Sequence, residues 1–190
     1  MTSRIPQARP TGLYGALIRR MSRRMFGDVP EPVLVAWHHR PVLTFSFRIG
    51  RAPQKWHACD ENLKSYANLA VASMVGCGFC LDFGYFAAHH AGLDLAKARE
   101  VPRWRDSTVF TPLERDVLAY AEAMTTTPPT VTDDLSARLL AALGPAGLVE
   151  LTTVIALENF MTRGNTAFGI DSQGFAASCE LPPLAVRSNR

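Results

Sequence analysis

The sequence predicts an all-α protein, a compact bundle of about seven to eight helices. Three observations carry that expectation. Apolar residues recur at three- and four-residue spacing through most of the chain. Helix-starting and helix-ending residues punctuate those stretches where a helix would need them. No pair of alternating segments is present to build a sheet. The 190 residues are 47% hydrophobic and 19% charged, enough for one core with an arm or tail at either end.

The first segment, residues 14–26, sets Tyr14, Leu17, Ile18, Met21, Met25 and Phe26 at helical spacing with arginines between them, and Gly27 is its stop. This amphipathic helix belongs to a basic arm, residues 1–29. Packing on the body or on a neighbouring subunit is the preferred reading, because the apolar face is short and lacks Trp for a membrane surface. Residues 30–173 form the helical domain. Near its start, Leu43, Phe45 and Phe47 alternate as in a strand, yet the run is short and unpartnered, so helix is the expectation.

Residues 60–75 read as the first strong helix. Asp60 is its N-cap, Glu61 suits the first turn, and Leu63, Tyr66, Ala67, Ala70, Val71 and Met74 line one face. After a break at Gly76, residues 79–90 form a second helix that stops at Gly92, and residues 94–100 a short third. Residues 101–108 read as a loop carrying Trp104. Thr111, Pro112 and Glu114 mark a helix start with a cap, a proline in the first turn and a glutamate three residues after the cap. Residues 132–143 are a short helix ended by Gly144 and Pro145, and residues 148–163 a long apolar one. Residues 174–190 read as a tail.

Charge and cysteine content exclude several functions. The net charge of +3 sits at the two ends: Arg4, Arg9, Arg19, Arg20, Arg23 and Arg24 at one, Arg187 and Arg190 at the other. The body lacks the basic face that binding nucleic acid requires. No stretch approaches the ~20 unbroken apolar residues of a membrane span. The first ten residues have no signal-peptide pattern, so the cytoplasm is the expected compartment. Four cysteines, Cys59, Cys77, Cys80 and Cys179, are too few for a disulfide scaffold. In a reducing compartment a close pair points instead to catalysis, redox sensing or metal binding.

Cys77-Gly78-Phe79-Cys80 is the one sharp motif. Residues three apart share a helix face, which brings the sulfurs within bonding distance. At a helix N-terminus the free amides and the dipole favour thiolate, the nucleophilic form. A second thiol one turn away resolves a sulfenic acid or mixed disulfide before over-oxidation. Two bland readings compete: both are small core residues, or both join His57 and Cys59 on zinc. The spacing of that second set is unusual for zinc, so no metal is expected.

The order of motifs resembles the alkylhydroperoxidase D-like carboxymuconolactone decarboxylase family. The likeness runs through Leu63-Lys64, the Ala-rich helix, Gly76 to Cys80, the helix ending at Gly92, Phe110 to Arg115, and Leu148 to Leu151 on to Asn159 and Arg163. It implies an all-helical fold, homo-oligomers and no cofactor. It further implies either reduction of a hydroperoxide or disulfide through the CxxC pair, recharged by a thiol reductant protein, or lactone decarboxylation in members without cysteines. By position Cys80 is the attacking thiol and Cys77 the resolving one, whereas helix-end electrostatics alone favours Cys77.

Two departures stand out. Redox members carry a glutamate twelve residues before the first cysteine and a histidine four after the second, as a proton relay. Here those positions are Ser65 and Gly84. Asp82, His89 and His90 are the substitute candidates, though two residues of helix point Asp82 elsewhere and nine put His89 beyond direct reach. Glu158 and Arg163, at the end of the long apolar helix, form a helix-terminal salt bridge, pair across a subunit interface, or line a pocket. The rival to a thiol oxidoreductase is therefore a catalytically degenerate, helical oligomer that binds a small molecule.

Overall fold

The computed structural model describes residues 3–184, so Arg187 and Arg190 of the expected tail lie outside them. In chain order come α1 (Gly12–Phe26), α2 (Glu31–Ala36), α3 (Arg40–Arg51), α4 (Glu61–Val75), α5 (Gly78–His90), α6 (Leu95–Ala98), α7 (Pro112–Thr125), α8 (Asp133–Phe168) and α9 (Phe175–Ser178). Short 3-10 turns lie at Ala52–Lys55 and Val101–Arg103, and the described residues contain no strand. The chain is all-α, as its periodicity predicts.

The central helix is α4, which packs against α5, α7 and α8. Asp60 starts it by accepting from the Asn62 and Leu63 amides at 2.9 and 3.3 Å. Ala67, Ala70 and Val71 are sealed on its core side. Their small size lets α7 and α8 come close, so Val117, Leu118 and Ala121 of α7 and Leu139, Leu151 and Ile155 of α8 fill the core around Tyr66. Burying each large aliphatic side chain contributes about 1.5–3 kcal/mol. The expected start of α7 is a full capping box: Thr111 Oγ1 accepts from the Glu114 amide and Glu114 Oε2 from the Thr111 amide.

Three local outcomes refine the sequence reading. The segment with alternating Leu43, Phe45 and Phe47 is helix α3, which buries Leu43 and leaves Phe45 exposed. The two helices expected either side of Gly144 share one run, α8, interrupted where Gly144 takes φ 70° and Pro145 restarts the helix. The stretch after Gly174, read as a tail, forms α9 against α5, and its Phe175 is only 5% exposed. Phe175 packs edge-on to Phe26, Phe79 and Phe83.

By length and mean hydropathy, α8 would suffice to cross a membrane. Here it is a core helix: it packs on α4 and α7, and its Glu150 is ion-paired to Lys64 inside the fold. The N-terminal arm lies on the body. The Arg4 guanidinium donates to the Thr166 and Ala167 carbonyls at the C-terminus of α8, where a cation meets the negative dipole end. On α1, Ile18 packs with Val33, Trp37 and Leu43, while Leu17, Met21 and Met25 of the same helix stay roughly half exposed.

Candidate active site

The two cysteines of the motif stand at the junction of α4 and α5. Gly76, with φ 77°, caps α4 in the left-handed region and turns the chain. Cys77 is then the N-cap of α5, its sulfur accepting from the Cys80 amide at 3.2 Å. The two residues are joined as a disulfide with their Cα atoms 5.3 Å apart. Their surroundings differ sharply. Cys77 is 1% exposed, shut in with Val35, Phe79, Phe86, Ile170 and Phe175. Cys80 is half-buried and borders a cavity of about 570 Å³. A dissolved molecule therefore reaches Cys80 and not Cys77, which reverses the preference of the helix end alone.

The cavity walls come from α4, α5 and α8, with the end of α3 and the following turn closing it. The lining is mainly apolar, with Phe79, Phe83, Leu157 and Met161 prominent. Asn165, 6% exposed, donates its side-chain amide to Cys80 Sγ at 3.3 Å. When the disulfide is reduced, that donor favours a thiolate on Cys80. Sequence reasoning does not find Asn165, because it lies 85 residues from Cys80 on a helix whose rotation only packing decides.

Ser65 and Gly84, the positions of the missing relay, both line this cavity. A Cβ built on Gly84 would come within 3.2 Å of Leu69 Cδ2, so a larger side chain there needs the end of Leu69 to give way. Among the charged lining residues, Lys64 and Glu61 are committed: Lys64 Nζ bonds Glu61, Glu150 and the Trp56 carbonyl at 2.7–2.8 Å. Glu158 lines the cavity with no hydrogen bond or ion pair to its carboxylate among the described residues. Burial pushes its pKa up to about 7. The salt bridge expected with Arg163 does not form, since Arg163 instead bonds the Thr125 carbonyl and Asn159.

The structure places Asp82 and His89 outside the cavity lining. Asp82 is 8% exposed, and its carboxylate accepts from Ser172 Oγ and from the amides of Gln173, Phe175 and Ala176 at 2.8–3.1 Å. It caps α9 from a distance and clamps the segment that covers Cys77. His89 is exposed at the end of α5, against the ring of His90. The zinc constellation does not assemble, because His57 is exposed and Cys59 sits with Leu63 in the α4–α7–α8 core rather than with Cys77. Burial pushes the Cys59 thiol up to about 11, with the Glu150 charge adding to it, so it is a packing residue.

The clamp role of Asp82 has a measurable consequence. Asp82→Ala removes four hydrogen bonds to a charged group, and each is worth about 1.5–3 kcal/mol when buried. After local relaxation we expect a stability loss of about 3 kcal/mol by urea unfolding. Under reducing conditions Cys77 should also react faster with a bulky maleimide, because the segment carrying Phe175 loosens. Unchanged stability and labelling would refute the clamp.

Comparison with known proteins agrees with this architecture. Residues 51–123 match the profile of the carboxymuconolactone decarboxylase family. Over 164 residues the chain is 34% identical to the uncharacterized protein YnjA of Escherichia coli (strain K12), covering 85% of this chain and 88% of YnjA. The debrominase Bmp8, as a cysteine-to-alanine variant in complex with 2,3,4-tribromopyrrole, superposes with a TM-score of 0.78 at 17% identity, covering 93% of this chain and 97% of Bmp8. ATU0492 from Agrobacterium tumefaciens, a protein of unknown function named as a candidate antioxidant defence protein AhpD, superposes with a TM-score of 0.67 at 22% identity, over 72% of this chain and 94% of that one. At these identities the two structures speak for the fold, and the sequence matches for the lineage: the chain belongs to the carboxymuconolactone decarboxylase family.

Proposed function

We propose that this protein is a thiol oxidoreductase that reduces a small hydroperoxide, or exchanges disulfides, through Cys80 with Cys77 as the resolving thiol. The observation that carries the reading is the asymmetry of the pair: joined sulfurs, one sealed, the other facing an apolar cavity beside an amide donor. Such a site lets one sulfur meet the substrate while the other waits for it. A thiol reductant protein returns the pair to the reduced state, and the cytoplasm, with its reducing thiol pool, is the proposed compartment. The test is to mix fully reduced protein with tert-butyl hydroperoxide and follow loss of thiols by mass spectrometry. One equivalent of oxidant should close Cys77 to Cys80; retention of both thiols would sink the proposal.

A second reading uses the same cavity differently. Its volume and apolar walls suit a small aromatic molecule, and Bmp8, which shares the fold, is a debrominase. Here the Cys80 thiolate would take the bromine of a bromopyrrole, forming S–Br and breaking C–Br while the ring carbon takes a proton from solvent. The Cys77 thiol would then displace bromide and close the disulfide, and the reduced protein would ignore hydroperoxide. Bromide release measured by ion chromatography separates the two.

The partner we propose is a second copy of the chain. Phe45 of α3 and Phe160 of α8 meet edge-on, yet each is half exposed, and Leu17 and Met21 add exposed apolar area on α1. Covering such side chains is the ordinary route to a homo-oligomer. Sedimentation equilibrium should show an oligomer that Phe45→Glu weakens; a monomeric wild-type protein would refute this.

A further inference from the structure

A reacting group at Cys80 occupies one end of the cavity and leaves the rest of it to the remainder of the substrate. The cavity continues along one face of α8, where Val154, Leu157, Glu158, Met161 and Asn165 fall on one helical stripe. Asn165 holds Cys80 Sγ, and Glu158 stands seven residues before it, about 10 Å along the axis. At that distance the carboxyl takes no part in bond breaking at the sulfur. It is placed for the far end of a molecule whose near end touches Cys80.

The far wall carries more negative charge than positive. Among the described residues Lys64 is the one cation of the lining, and its Nζ is held by the carboxylates of Glu61 and Glu150 and by the Trp56 carbonyl. One ammonium thus already serves two carboxylates, and none is left for Glu158, whose carboxyl has no hydrogen bond or ion pair among the described residues. Asn68 Oδ1, buried in the same lining, also lacks a hydrogen bond. The wall is short of donors, and a buried carboxylate without a counter-charge is costly. A ligand with a positive, hydrogen-bond-donating end makes up the deficit, whereas an anion is repelled. Burial pushes the Glu158 pKa up to about 7, as befits a carboxyl without a counter-charge.

We propose that the cavity takes a substrate with an ammonium end, held by the Glu158 carboxylate, and a disulfide presented to Cys80. This rests on the thiol-redox reading and names its substrate class. In cystamine, the simplest case, each sulfur carries a two-carbon arm ending in an ammonium group. With one sulfur at Cys80, the arm on the other extends along α8 toward Glu158. The Cys80 thiolate forms a bond to the near sulfur and breaks the S–S bond, and cysteamine leaves as a thiolate. The Cys77 thiolate then attacks Cys80 Sγ, closes the protein disulfide and releases the second cysteamine. The two protons lost by the protein thiols pass through solvent to the two cysteamine thiolates. Two protein thiols are oxidised, one small disulfide is reduced, and an external dithiol of the reductant class restores the pair.

Binding and reaction are tested separately. At about pH 8 the Glu158 carboxyl is above its pKa, and an alkylamine is protonated as a lysine is. In the oxidised protein, where Cys80 does not react, butylamine should bind about tenfold more tightly than 1-butanol, read from NMR shifts of the Asn68 and Asn165 side-chain amides. Butyrate should bind more weakly than either. Glu158→Gln, close in shape to the protonated acid and checked by thermal melting, should bind butylamine and 1-butanol alike. In stopped-flow oxidation of the reduced protein the same substitution should slow cystamine about tenfold and change neutral 2-hydroxyethyl disulfide less than about twofold. No preference for butylamine over 1-butanol in the parent protein, or equal slowing of both disulfides by Glu158→Gln, would overturn the role of Glu158 and leave the redox reading standing. Preferred binding of butylamine by a protein whose thiols survive both disulfides and tert-butyl hydroperoxide would overturn the redox reading, and with it the disulfide step, while the ammonium site stood.

Discussion

Cys80→Ser is expected to reduce dithiol-driven consumption of tert-butyl hydroperoxide to the uncatalysed background, while Cys77→Ser keeps one turnover. The difference follows from position. Of the cysteines only Cys80 lines the cavity, so without it no thiol meets an oxidant bound there. Without Cys77 the first attack still proceeds, and Cys80 is left as a sulfenic acid that no neighbouring thiol resolves. Dimedone labelling followed by mass spectrometry of the peptide that holds the pair should find that sulfenic acid on Cys80 in Cys77→Ser and no label on Cys77 in Cys80→Ser. Continued oxidation would carry the trapped species to sulfinic acid. If Cys80→Ser retained the single turnover and Cys77→Ser lost it, the roles would be reversed and the cavity would have another use.

Lys64→Met is expected to cost about 3 kcal/mol or more of stability, among the largest effects available in this fold. Lys64 and Glu150 form an ion pair at 2.8 Å with side chains 5% and 6% exposed. Glu150 also accepts from the Ala58 amide at 2.7 Å, so the pair pins the chain before α4 to the middle of α8. Taking away the ammonium leaves a carboxylate buried without its counter-charge. Burial pushes the Glu150 pKa up, but the Lys64 hydrogen bond, the Ala58 amide and the Lys64 charge outweigh it, and its value lies below the ordinary 4.5. For Lys64, burial pulls the value down and the hydrogen bonds to Glu150 and Glu61 more than restore it, above the ordinary 10.5.

The pH dependence follows with a definite sign. A depressed carboxylate stabilises above its unfolded value and loses that contribution as the pH falls through the folded one. A raised amine stabilises below its unfolded value and loses the contribution as the pH rises through the folded one. Wild-type protein should therefore draw stability from the pair between about pH 4.5 and 10.5, and Lys64→Met should lose it across that window. Replacing both residues, Lys64→Met with Glu150→Leu, is expected to recover most of the loss, because no charge is then left unpaired. Urea titrations at several pH values check all three statements. A single substitution that costs nothing would mean that water reaches the pair.

The helices themselves are legible in the residues. Asp60 before a run of small and large apolar residues, Thr111-Pro112 with Glu114, and Gly144-Pro145 each act within one or two turns, so local spacing is enough to read them. The cysteine pair is legible for the same reason, since three residues of helix bring its sulfurs together. The stretch after Gly174, which reads as a tail and folds as α9, shows where that reach ends. Phe175 is ordered by a carboxylate 93 residues earlier in the chain, and no local signal announces it.

An all-helical chain with two thiols on one turn is thus written in the residues alone, because caps, glycines and helical period are short-range effects. Packing between distant helices settled the rest: which thiol meets the outside, that Asn165 touches it, that Glu158 looks into the same cavity, and that Asp82 is spent on a clamp. Those outcomes depend on how α8 is rotated against α4 and α5. That rotation is set by burial of side chains far apart in sequence, which no local pattern encodes.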